Sequence, residues 1–82
     1  MQRILLFGSD YRDGREVHAA LKRLLNLPEY YGMNADALHD CLDEQAQVPS
    51  MWIGDWGEGE TACTLRKVAQ VIQDLGGEVK EM

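Results

Sequence analysis

The chain has 82 residues, 45% hydrophobic and 27% charged, the size and balance of one small globular domain (residues 1–82) whose core is only just large enough to hold it. Its 8 basic and 14 acidic residues leave a net charge of −6, which argues against a nucleic-acid partner. The absence of a secretory h-region and of any apolar run near the roughly 18 residues that cross a bilayer argues against a membrane partner and predicts a cytoplasmic protein.

Ile4-Leu5-Leu6-Phe7, bounded by Gly8, predicts a strand covered on both faces, as in a parallel sheet. Asp13 and Glu16 read as a capping box, and Val17, Ala20, Leu21 and Leu24 follow at i, i+3, i+4 and i+7, so a first helix is predicted over about 14–25. Lys22 and Arg23 suit its last turn, and Asn26 and Pro28 end it. His18, beside the apolar stripe, is expected as a structural histidine. Glu29-Tyr30-Tyr31-Gly32 is a loop in which Gly32 can take a positive φ, and the two rings are expected to divide, one inward and one outward. Asn34 is the predicted N-cap of a second helix with Ala35, Leu38, Cys41 and Leu42 on its apolar face.

Pro49 leads Ser50-Met51-Trp52-Ile53, a short strand with Trp52 expected in the core. Gly54 to Glu60 reads as a loop, with Trp56 half-exposed; its glycines make no phosphate cradle, because Asp55, Glu58 and Glu60 repel an anion and no Lys follows. Leu65, Val68, Ala69, Ile72 and Leu75 predict an amphipathic helix from Thr61 or Thr64 to Leu75, stopped by Gly76-Gly77, and residues 78–82 a minimal last strand. Cys41 and Cys63 are too few for a disulfide framework and are expected as buried thiols.

Charge is the unusual feature. From Leu24 to Leu65 there is no Lys or Arg, while Glu29, Asp36, Asp40, Asp43, Glu44, Asp55, Glu58 and Glu60 place eight acidic residues there; the remaining 8 basic and 6 acidic residues sum to +2. At about 100° per residue, Asp36, Asp40 and Asp43 fall within roughly 60° of one another on the polar face of the second helix, with His39 at the edge. Asp43 and Glu44 oppose the helix dipole, and Asp36 with Asp40 is a like-charge i, i+4 pair. Such a face is not tuned for the stability of its own helix, which is what a surface kept for a basic partner looks like. A catalytic site is disfavoured: His39 and Cys41 point about 200° apart on a helix, and Cys41 has no basic neighbour in sequence to activate it.

Leu27-Pro28-Glu29-Tyr30-Tyr31-Gly32, then Asn34, then Asp36-Ala37-Leu38 and Asp40-Cys41-Leu42, resembles the core motif of the barstar-like family of intracellular ribonuclease inhibitors. A weaker likeness continues upstream through Glu16-Val17-His18 and Leu21-Lys22. The resemblance implies a small α/β fold, a three-stranded parallel sheet with helices packed on it, and an inhibitor whose helix carboxylates stand in for RNA phosphates in a basic cleft. Carried over residue by residue, it lands on Tyr30, Asn34, Asp36 and Asp40, with Asp40 as the central phosphate mimic. His39 stands where the family commonly has Trp, Asp43-Glu44-Gln45-Ala46 replaces an expected Gly and Trp, and Asp74 is the candidate for a further acidic contact on the last helix.

The reading from sequence is therefore a non-enzymatic antitoxin or immunity-type inhibitor, without cofactor, that binds a basic bacterial ribonuclease. Its expected binding residues are Tyr30, Asn34, Asp36, His39, Asp40, Asp43 and Glu44, with Asp74 a further candidate. Two alternatives stand beside it: an acidic module for another basic protein, and a loose divalent-cation site built from Asp36, Asp40, Asp43 and Glu44.

Overall fold

The structure, a computed structural model, describes residues 3–45 and 48–82. Strands β1 (Arg3–Phe7), β2 (Ser50–Asp55) and β3 (Val79–Glu81) form a parallel sheet in the order β1-β2-β3. Ile4 lies opposite Met51, Leu6 opposite Ile53, and Met51 opposite Val79. Helices α1 (Gly14–Leu24) and α2 (Ala35–Gln45) connect the first two strands, and α3 (Gly59–Asp74) connects the second and third. Both crossovers step the same way across the sheet, and parallel crossovers are right-handed, so the helices share one face. Ile4, Leu6, Met51 and Ile53 turn toward them into a core completed by Leu21, Leu38, Leu42, Leu65, Val68 and Ile72. α3 packs against both α1 and α2.

This one-sided layering corrects the expectation for Ile4 to Phe7. β1 is an edge strand, and its residues alternate, Ile4 and Leu6 buried against Leu5 at 49% and Phe7 at 36% exposure. Trp52, opposite Leu5 in register, sits on the same open face instead of in the core, with the Lys80 ammonium 5.4 Å from its ring centroid. Phe7 lies against the bare backbone of Gly54, where an added Cβ would come within 2.0 Å of the ring. Cys41 is buried as expected, but Cys63 is exposed, because Thr61 and Leu65 take the inward face of α3 and residue 63 points away.

The helix ends follow local chemistry. Asp13 Oδ1 accepts the Glu16 N–H at 3.0 Å, but Glu16 Oε1 takes the N–H of Arg12 and not of Asp13, so only half the capping box forms. α1 ends in a Schellman turn: Asn26 at φ 52°, the Leu27 N–H on the Lys22 carbonyl at 2.9 Å, and the Asn26 N–H on the Arg23 carbonyl. α3 ends the same way on Gly76 (φ 91°) and Gly77. It begins at Gly59, two residues before Thr61, and β2 runs to Asp55, so the expected loop over Gly54 to Glu60 shrinks to Trp56–Glu58.

Asp55 and Glu60 explain the tightness of that corner. Asp55 Oδ1 accepts the N–H groups of Ser9 and Gly57, both at 2.9 Å, and Oδ2 accepts the Ser9 hydroxyl at 3.0 Å. Glu60 Oε1 accepts the Gly14 N–H at the start of α1. Gly8 and Gly57 meet backbone to backbone, leaving 2.3 Å between a hypothetical Gly8 Cβ and the Gly57 nitrogen.

Candidate protein-binding face

The Pro28–Met33 loop and α2 form one continuous surface, and its geometry is set from below. Tyr31 is 5% exposed and its hydroxyl lies 2.6 Å from Nδ1 of the buried His18 on α1. Burial lowers the His18 pKa and raises that of Tyr31, so imidazole and phenol are both neutral near pH 7. We assign the hydroxyl as donor to Nδ1, which puts the His18 proton on Nε2. The predicted division of the two rings holds: with Tyr31 anchored inward, Tyr30 is thrown outward at 76% exposure.

The turn into α2 departs from expectation at one residue. Met33 takes the left-handed conformation (φ 58°), not Gly32. Gly32 is needed for close approach, since a Cβ there would sit 3.2 Å from that of Ala37. Asn34 is the N-cap as predicted, its Oδ1 accepting the Ala37 N–H at 2.8 Å while its Nδ2 donates to the Gly32 carbonyl at 3.2 Å. Asn34 therefore spends both polar groups within the chain and joins loop to helix.

Leu38, Cys41 and Leu42 bury the inner side of α2 as predicted, which turns Asp36, Asp40, Asp43 and Glu44 outward, all exposed, with His39 half-buried at the margin. Among the described residues no Lys or Arg pairs with any of these four carboxylates. Burial, with the Glu44 and Asp40 charges beside it, holds the Cys41 thiol above its ordinary value, so it is no nucleophile. Glu29 pairs with Lys22 at 3.4 Å but is itself almost fully exposed. Asp74 ends α3, outside the stripe, and accepts from Gln70 Nε2 at 2.9 Å. Ala46, the last residue of the segment that departs from the family pattern, lies outside the described residues. Among the described residues no three His, Cys, Asp or Glu side chains are gathered to hold a metal ion, so the cation-site alternative lacks its geometry.

Sequence reading missed the structural work of two carboxylates. Asp55 and Glu60 counted as part of the free acidic excess, yet Asp55 accepts from Ser9 and Glu60 from Gly14, each 46 residues upstream; His18 is structural as expected, but its partner Tyr31, 13 residues away, is announced by no local pattern.

Comparison with known proteins bears on this arrangement. A protein of Bacillus subtilis (strain 168) named "Putative ribonuclease inhibitor YrdF" is 41% identical over 49 residues, 60% of this chain and 54% of YrdF, so the match spans about half of that relative. The family model described as "Barstar (barnase inhibitor)" matches residues 1–81. A small parallel three-stranded sheet with helices packed on it is the fold that the Leu27-to-Leu42 motif led us to expect, and with the family model matched over residues 1–81 the chain belongs to the barstar family.

Proposed function

We propose that this protein is a ribonuclease inhibitor of the antitoxin or immunity type, acting in the bacterial cytoplasm, and that the α2 face enters the basic, phosphate-binding cleft of its target. The observation that carries this reading is the set of four exposed carboxylates on one side of α2, without a cationic partner among the described residues, beside the exposed Tyr30. Unpaired charges of one sign raise the local potential and steer a basic protein toward them, and a rigid aromatic ring supplies contact area at low entropic cost. Asp40 stands at the middle of the stripe and carries the central phosphate-mimicking role; Asp36, Asp43 and Glu44 flank it, and His39 and Tyr30 border it. Asn34 acts by holding the loop against the helix. The family model's description and the name of the B. subtilis relative support the same reading.

The test is a set of affinities for a basic bacterial ribonuclease, by calorimetry and by inhibition of RNA cleavage. Asp40→Ala is expected to weaken binding by two orders of magnitude or more, since stripping one partner from a desolvated ion pair costs about 3–5 kcal/mol. Asp36→Ala falls between, and Glu78→Ala, on the far side of the sheet, matches the parent. Equal affinities for all three would remove Asp40 from its role.

A further inference from the structure

We propose that the open face of the sheet docks the acidic α2 face of a second copy of this chain, in a weak head-to-tail association that masks the surface assigned above to the ribonuclease. It rests on that reading only for this consequence, because the association is measured with no ribonuclease present.

The outward positions of the sheet are Arg3, Leu5, Phe7, Trp52 and Lys80, continued by Met82, whose N–H extends the ladder to the Ile53 carbonyl. In a chain of net charge −6, the described residues of this face carry two cations, Arg3 and Lys80, against one carboxylate, Glu78, which lies 3.5 Å from Lys80, so the face stays net positive. Among the described residues, Leu5, Phe7 and Met82 are three of the five large apolar side chains left exposed, and they flank Trp52. A fourth, Tyr30, stands on the acidic face. The two surfaces are thus opposite in charge, each presents aromatic area, and they lie on different sides of the molecule, one on the sheet and one on the helix layer.

Sheet against α2 sets Arg3 and Lys80 against four carboxylates, Asp36, Asp40, Asp43 and Glu44, whereas sheet against sheet offers them only Glu78, which Lys80 already holds. Such an interface is heterologous and does not close on itself, so it builds chains and not a dimer. Three strands about 4.8 Å apart and five residues long present only about 250 Å², far below the roughly 800 Å² per partner of stable complexes, which makes the contact weak and quickly exchanging.

Sedimentation velocity at about 0.05 and 0.5 M salt, over protein concentrations from about 10 µM to 1 mM, tests this. At low salt the weight-average mass of the parent is expected to rise with concentration without levelling at two copies, and to return toward the monomer at high salt. Lys80→Glu and Asp40→Asn should each hold the protein monomeric. Mixed in equal amounts, these two variants should recover association that stops at two copies, since one retains only its acidic face and the other only its sheet face. A parent that stays monomeric throughout overturns the proposal. So does a dimer that strengthens with salt and ignores Asp40→Asn, which is the signature of symmetric sheet stacking. Lys80→Glu is exposed and should fold and bind ribonuclease unchanged at sub-micromolar concentration, where every copy is monomeric; loss of self-association and loss of ribonuclease binding are thereby read separately.

Discussion

The eight acidic residues between Leu24 and Leu65 are alike in charge and unlike in what they do. Asp55 accepts two amides and a hydroxyl that join the turn after β1 to the turn after β2. Asp55→Ala strands these donors and is expected to cost about 2–3 kcal/mol in chemical denaturation, as hydrogen bonds to charged groups contribute about 1.5–3 kcal/mol each in protected sites and less where water competes. A loss below about 0.5 kcal/mol would show the corner to be held by its glycine contacts alone. His18 carries a pH dependence whose sign is fixed. Its native pKa lies below the ordinary value of 6.5, so above that pH both native and unfolded chains hold it neutral and its effect is level. As the pH falls below 6.5 the unfolded chain binds the proton first, and stability drops until native His18 protonates too. Denaturation midpoints at a series of pH values should show this slope in the parent and a shallower one in His18→Gln; identical slopes would move the effect to other groups. The role of Asp55 could not be read from neighbours in sequence, and for His18 only its place beside the apolar stripe could, not its partner; the division of Tyr30 and Tyr31 was legible because two adjacent bulky rings in a turn usually part, one inward and one outward.

At the scale of elements, helices were the legible part, because Val17-Ala20-Leu21 and Leu65-Val68-Ala69-Ile72 spell out a 3.6-residue period and Asn26 and Gly76 mark the ends, although Leu24, expected on the same stripe, is 42% exposed in the last turn of α1. The sidedness of the sheet was not: Ile4-Leu5-Leu6-Phe7 has the same composition whether one face or two is covered, and only the common direction of the two crossovers decides it. α2 keeps a surface at odds with its own dipole, held in place by its cap and its buried side. Asn34→Ala should therefore cost about 1 kcal/mol and speed amide exchange at Ala37, while Asn34→Asp should restore the cap but not the bond to Gly32. Asp43→Asn should leave the melting temperature unchanged or raise it at low salt, since the lost charge opposed the dipole and had no partner among the described residues. Clear destabilisation by Asp43→Asn would make that carboxylate structural and weaken the case that the face is reserved for a partner.

For the whole molecule, the proposed function makes segregated charge a kinetic device. Association with a basic ribonuclease should slow at least several-fold between about 0.05 and 0.5 M salt, over which the Debye length contracts from above 10 Å to below 5 Å, while dissociation changes much less. Stopped-flow rates flat across that range would hand the encounter to Tyr30 and its apolar surroundings. The packing of α2 against α3 also sets a timetable for synthesis. The residues of the acidic face are made before its support: when Gln45 is joined to the growing chain, β2 and all of α3 are still to come. At about 5–20 residues per second, Asp74 follows several seconds later, and a short isolated helix is marginal in water until then. A nascent chain stalled before α3 emerges would hold the α2 carboxylates on a segment with nothing to lean on, so under the proposed function inhibition would begin with the last helix and not with the residues proposed to touch the enzyme.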